Sequence, residues 1–64
     1  MRLLYTLTHP LRVRITETTG TDRRTYRHRA RDLHDALEWA ACYPRGTAAV
    51  ISTRFGRIIA RRDA

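Results

Sequence analysis

Arginines at alternate positions carry the one chemistry that this sequence repeats: Arg12 and Arg14, then Arg23 and Arg27, and later Arg54, Arg57, Arg61 and Arg62. A guanidinium is a planar fork of donors that stays charged at any ordinary pH. It holds a phosphate, or the edge of a guanine, through two parallel hydrogen bonds. Spaced along a strand, such groups can meet successive phosphates. The expected partner is therefore DNA or RNA, bound by Arg12, Arg14, Arg23, Arg27, Arg54, Arg57 and Arg61, with Arg62 at the rim of the patch. The competing explanation is a solvated basic face, because all 13 Lys+Arg positions are arginine. GC-rich coding produces that bias and points to a bacterial or phage genome. Whatever its origin, a net charge of +7 attracts polyanions.

The other reactive side chains are sparse. His9, His28 and His34 with Cys42 match no zinc-ligand spacing, and His28 and His34 fall on different expected elements. Packing is expected for His28 and solvent for His34. Cys42 is the only cysteine, which excludes an internal disulfide and suits a reducing compartment. No histidine base is placed beside it, so it lacks the setting of a nucleophile. A chain of 64 residues buries little surface and has no room for a deep private pocket. Neither an enzyme nor a cofactor, metal or small-molecule substrate is expected. The opening MRLLYTLT is too short and too interrupted for a signal peptide, and no run approaches the ~20 apolar residues of a membrane span. The expected setting is the cytoplasm of a bacterium or a phage-infected host, with no membrane partner.

These side chains need elements to hold them. Leu3, Tyr5 and Leu7 alternate with Leu4, Thr6 and Thr8 as in a half-buried strand, until His9-Pro10 interrupts. Either a separate first strand ends there or one long strand bends; the first arrangement is preferred. Leu11 to Thr18 is the clearest strand, with Leu11, Val13 and Ile15 on one face and Arg12, Arg14 and Thr16 on the other. A turn centred on Thr19-Gly20 would pair Ile15 with Arg24, Val13 with Tyr26 and Leu11 with His28. It would also set Arg12 opposite Arg27. Tyr26 and His28 then join the apolar face, and the reverse face is nearly all Arg and Thr.

Ala30 to Tyr43 is the one convincing helix. Its expected inner stripe is Ala30, Leu33, Ala36, Leu37, Ala40 and Ala41, with the two leucines supplying bulk. Asp32 is the expected N-cap, with Asp35 three residues on. The segment Arg31 to Tyr43 carries one arginine against Asp32, Asp35 and Glu38, a net of −2, so the strands and turns hold +9 of the total +7. A recognition helix is thereby a poor candidate for any nucleic-acid contact. After Gly46, Ala48 to Thr53 and Arg57 to Arg61 read as a hairpin closed by Arg54-Phe55-Gly56. Ala49, Ile51 and Ile58 are expected toward the helix, with Val50 and Ile59 away from it.

The fold class is thus α+β in the order β(β)-β-α-β-β: one antiparallel sheet of four or five strands in a single small domain, with one helix across one face. The order, with a DLxxALxWA helix between two hairpins, resembles small phage and actinobacterial reading frames, a likeness that implies no activity. The face left open is where chemistry is expected. An alternative function is a protein-interaction module, as a homodimer or a binder of a host protein, through Trp39 and Tyr43 or through that open face.

Overall fold

The computed structural model describes residues 7–44 and 46–63. Its elements are β1 (Leu11–Thr19), β2 (Asp22–Ala30), α1 (Leu33–Ala41), β3 (Ala48–Ser52) and β4 (Ile58–Arg62). They form one four-stranded antiparallel sheet in the order β2-β1-β3-β4, with the helix packed against one face, an α+β fold. The strand expected over Leu3 to Thr8 lies mostly outside the described residues. At its described end, Leu7 and Thr8 are helical rather than extended.

The β1–β2 hairpin differs from expectation by two residues, and the reason is glycine. The loop is Gly20-Thr21, with Thr19 opposite Asp22, and Gly20 has φ 61°, while among the described residues no type other than glycine takes a positive φ. A two-residue hairpin with glycine first and a negative-φ residue second is the II′ arrangement, whose twist matches that of the strands. The expected turn put glycine second, which splays them. The observed pairs are Leu11 with Ala30, Val13 with His28 and Ile15 with Tyr26. A shift of two keeps every side chain on its expected face, whereas a shift of one would have exchanged the faces. Beyond Thr16, where its pairing with β3 stops, the hairpin continues as a two-stranded ribbon.

The connection from β2 to β3 passes over β1, since both strands flank β1. That path lays α1 on β1 and β2. Asp32 caps the helix: its Oδ1 accepts from the Asp35 N–H at 2.9 Å, and Asp35 Oδ2 accepts from the Arg31 N–H at 2.9 Å. The cap starts the helix at Leu33, so Ala30, expected on the helical stripe, instead ends β2 as a fully buried strand residue.

Which face α1 buries is the larger correction. Ala36 and Ala40 are buried, but Leu33 and Leu37 remain 44% and 50% exposed. Trp39 stacks on His28 with ring centroids 3.9 Å apart, and the Tyr43 hydroxyl shares a 2.6 Å hydrogen bond with His28 Nε2. Tyr43 also packs on Tyr26, at 5.4 Å between centroids. On a wheel of ~100° per residue, the helix has rolled about 50° from the leucine stripe toward the aromatic side. Two large rings on the β2 edge bury more apolar area than two leucines, and alanine at 36 and 40 lets the backbone come close enough for it. Leu37 is left beside Ala41, Ile51 and Ala60, lining a shallow apolar groove over β3 and β4.

The β3–β4 hairpin closes as expected. Gly56 takes φ 87°, its N–H reaches the Thr53 carbonyl at 2.9 Å, and the Thr53 N–H reaches the Arg57 carbonyl at 2.8 Å. A bulge then pairs Ser52 with Ile58 and Ile51 with Ala60, leaving Ile59 as the extra residue. Ile58, expected toward the helix, is thereby turned to the reverse face with Ser52, and Ala60 takes its place.

The rolled helix makes a stability prediction. Trp39→Ala should cost about 3 kcal/mol, and Leu37→Ala, half-exposed already, about 1 kcal/mol or less. Urea unfolding monitored by circular dichroism measures both, and the opposite ranking would restore the leucine stripe.

Candidate nucleic-acid interface

The open face of the sheet is set by β1. Val13 and Ile15 are 1% and 0% exposed beneath the helix. Strand alternation therefore sends Arg12, Arg14 and Thr16 to the reverse side, where Arg12 and Arg14 are exposed. Across β2 their partners are Arg29 and Arg27. Across β3 they are Ser52 and Val50, and Val50 in turn pairs with Arg61 of β4. With strands about 4.8 Å apart and alternate residues about 6.7 Å apart, the backbone positions of Arg12, Arg14, Arg27 and Arg29 mark the corners of a cell of roughly 5 × 7 Å.

No carboxylate answers this cell from the sheet. The acids of the strands, Glu17 and Asp22, fall in the other parity, opposite Arg24 and Thr19. Among the described residues, Arg31 meets Asp35 at 4.0 Å and Arg61 meets Asp63 at 3.6 Å as ion pairs, and His34 Nε2 lies 2.9 Å from Glu38 Oε1. None involves Arg12, Arg14, Arg23, Arg27 or Arg29. Like charges directly opposite on a sheet repel. The Nη1 atom of Arg29 is moreover buried with no hydrogen-bond partner. An unsatisfied buried donor at a charged site is costly and calls for an acceptor.

These residues line a cavity of about 820 Å³, walled by Arg12, Arg14, Arg27 and Arg29 and by Val50, Ser52, Gly56 and Ile58. Trp39 also reaches its lining, as does its stacking partner His28. Two groups that the sequence separated, the arginine patch and Trp39, therefore border one space. Tyr43 stays outside it, packed on Tyr26 and bonded to His28.

The remaining expected residues spread around this centre. Arg23 lies on the same face opposite Thr18, about 13 Å along β2 from Arg27, on the two-stranded ribbon. Arg61 is in line with Arg27 and Arg14 but sits by Asp63. Arg54 and Arg57 are exposed at the β3–β4 turn. Arg62 departs from the patch. It pairs with Ala49 on the helix side, and its guanidinium donates to the Thr47 carbonyl at 3.2 Å and to Thr47 Oγ1 at 2.9 Å. Thr47 is buried and also donates to the Pro44 carbonyl, so Arg62 anchors the loop before β3.

Sequence reasoning missed Arg29 and Phe55. Arg29 was hidden by the two-residue error in register, because the expected pairing ran out before reaching it. Phe55 read as a turn residue, yet it is 85% exposed, with the Arg54 guanidinium carbon 5.0 Å from its ring centroid. Of the other reactive groups, His34 is exposed beside Glu38, His28 is half-buried in the aromatic cluster, and Cys42 is exposed. Among the described residues no three His, Cys, Asp or Glu side chains gather to hold a metal ion, and no helix is long and apolar enough to cross a membrane.

Compared with known proteins, the chain matches no family model, no curated protein and no solved structure.

Repulsion within the cell is measurable without any ligand. Arg27→Glu, which sets a carboxylate opposite Arg14, should raise stability by roughly 0.5–1 kcal/mol in low salt. The gain should shrink as salt screens the pair, as urea titrations at two ionic strengths would show. A loss of stability in low salt would mean that the guanidinium groups splay too far apart to interact.

Proposed function

We propose that this protein binds nucleic acid through the open face of its sheet. The observation that carries the reading is the cell of four arginines, two on each of two paired strands, with no acid at the strand positions of that face and a buried guanidinium nitrogen lacking an acceptor. Phosphate oxygens are the acceptors that such a cell lacks. They would relieve the cross-strand repulsion and release counterions on binding. Arg12, Arg14, Arg27 and Arg29 hold the centre, while Arg23 on the ribbon and Arg54, Arg57 and Arg61 toward the other end extend the contact. The helix, with Asp35 and Glu38 on its outer side, faces away from the polyanion. The protein-contact reading through Trp39 and Tyr43 has less support, because both rings are already engaged with His28 and Tyr26.

Gel retardation with DNA and RNA tests the proposal. Four phosphate contacts should weaken binding by roughly 50- to 150-fold between 50 and 200 mM salt. Arg12→Glu/Arg14→Glu/Arg27→Glu should abolish retardation while circular dichroism shows an intact fold. No retardation in low salt at low micromolar protein would refute the proposal, and so would undiminished binding by the triple variant.

A further inference from the structure

Exposed aromatic side chains mark a platform for unpaired bases. The structure supplies one. Phe55 is 85% exposed, the most exposed large hydrophobic residue described. Exposing that much apolar ring forgoes burial that a chain of this size can ill spare.

The backbone that carries the ring is also held in place. The Phe55 backbone N–H donates to Thr53 Oγ1 at 3.3 Å, and the Arg57 N–H donates to the same oxygen at 3.2 Å. With the two backbone bonds between Thr53 and Gly56 or Arg57, this turn leaves its tip little freedom. The Arg54 guanidinium covers one face of the ring, and the exposure that remains leaves the other face free. Phe55 does not itself line the arginine cavity, but Gly56 and Ile58, which follow it in the chain, do, so the turn that carries the ring borders that space.

We infer that the nucleic acid taken by this face is single-stranded, with one unpaired base stacked on Phe55 while Arg12, Arg14, Arg27 and Arg29 hold the adjoining phosphates. The inference rests on the nucleic-acid reading above and narrows it. A duplex keeps its bases stacked on each other and offers none to an isolated ring. A single strand can turn a base out onto an aromatic face, and the guanidinium on the ring's other side adds a cation–π contact to the stack. Stacking releases no counterions, so the two parts of the site have separable signatures. The arginines set the salt dependence, and Phe55 sets affinity at any given salt.

Fluorescence anisotropy with labelled oligothymidine and with the matching duplex reads both signatures. The single strand should bind more tightly than the duplex. Phe55→Ala should weaken the single strand by roughly 5- to 150-fold with an unchanged salt slope, and Phe55→Trp should retain affinity. Arg14→Ala should instead reduce the slope by about 0.7. Because Phe55 is exposed, these variants keep the fold, which circular dichroism checks. Equal binding of the single strand by Phe55→Ala and the unaltered protein overturns the inference. So does an equal loss on duplex, or a duplex that binds as tightly as the single strand; in each case the open face remains a nucleic-acid surface. If neither oligonucleotide binds in low salt, the nucleic-acid reading fails and this inference falls with it.

Discussion

Burial of Val13 and Ile15 governs the structure. They are the largest side chains wholly removed from water among the described residues, and they sit on β1, an interior strand that pairs with β2 and with β3. A strand offers only two faces, so fixing these two inward fixes Arg12 and Arg14 outward. Each partner strand then inherits the same division through its register. His28 and Tyr26 are carried inward with Arg27 and Arg29 outward, and Ala49 and Ile51 inward with Val50 and Ser52 outward. The charged face is thus a by-product of the apolar one. Slipping β2 by a single residue would drive Arg27 and Arg29 under the helix, where no acid stands to receive them.

The same small core explains the helix. Its two buried positions are alanines, and alanine contributes closeness rather than bulk. The bulk comes from Trp39, Tyr43, His28 and Tyr26, gathered at the β2 edge by stacking and one hydrogen bond. With that cluster on one flank, the other half of the sheet's inner face is covered only by the short residues of β3 and β4 and by the flank of Leu37. Here Arg62 matters as structure. Its bonds to Thr47 tie the end of β4 to the loop that enters β3, closing from the side what the helix does not cover from above.

How far this was legible in the sequence follows from how local each signal is. The alternation of Leu11 to Thr18 and the cap at Asp32 depend on neighbours within a few residues, and both are found as read. The β1–β2 faces were legible even though the turn was placed wrongly, because an error of two residues preserves parity. The turn itself needed the distinction between glycine first and glycine second in the loop, which the Thr19-Gly20 placement overlooked. The roll of the helix was not legible. Leu33 and Leu37 make as good a stripe as Ala36, Ala40 and Tyr43 until the position of His28 across the sheet is known. Ile58 and Ile59 are adjacent and equally apolar, so only the bulge decides which one joins the arginine face. Arg29 and Phe55 were missed for the same kind of reason: membership of the site depends on what lies across a strand pair or beside a cavity.

An arginine composition inherited from coding bias would scatter guanidinium groups wherever burial allowed, and acids would be scattered with them. The distribution here is sorted instead. Asp32, Asp35 and Glu38 lie on or beside the helix, each bonded to a neighbour there, Glu17 and Asp22 share the helix-side parity of the ribbon, and Asp63, just past β4, meets Arg61 at the far edge of the open face. The open face keeps its arginines in directly opposed pairs without one carboxylate among its strand positions. Strand alternation decides which residues point outward, but it does not decide their sign. A Glu at 27 or 29 would satisfy the fold equally well and remove a repulsion. Keeping like charges in register at that cost supports the proposal that the counter-charge of this face comes from a ligand.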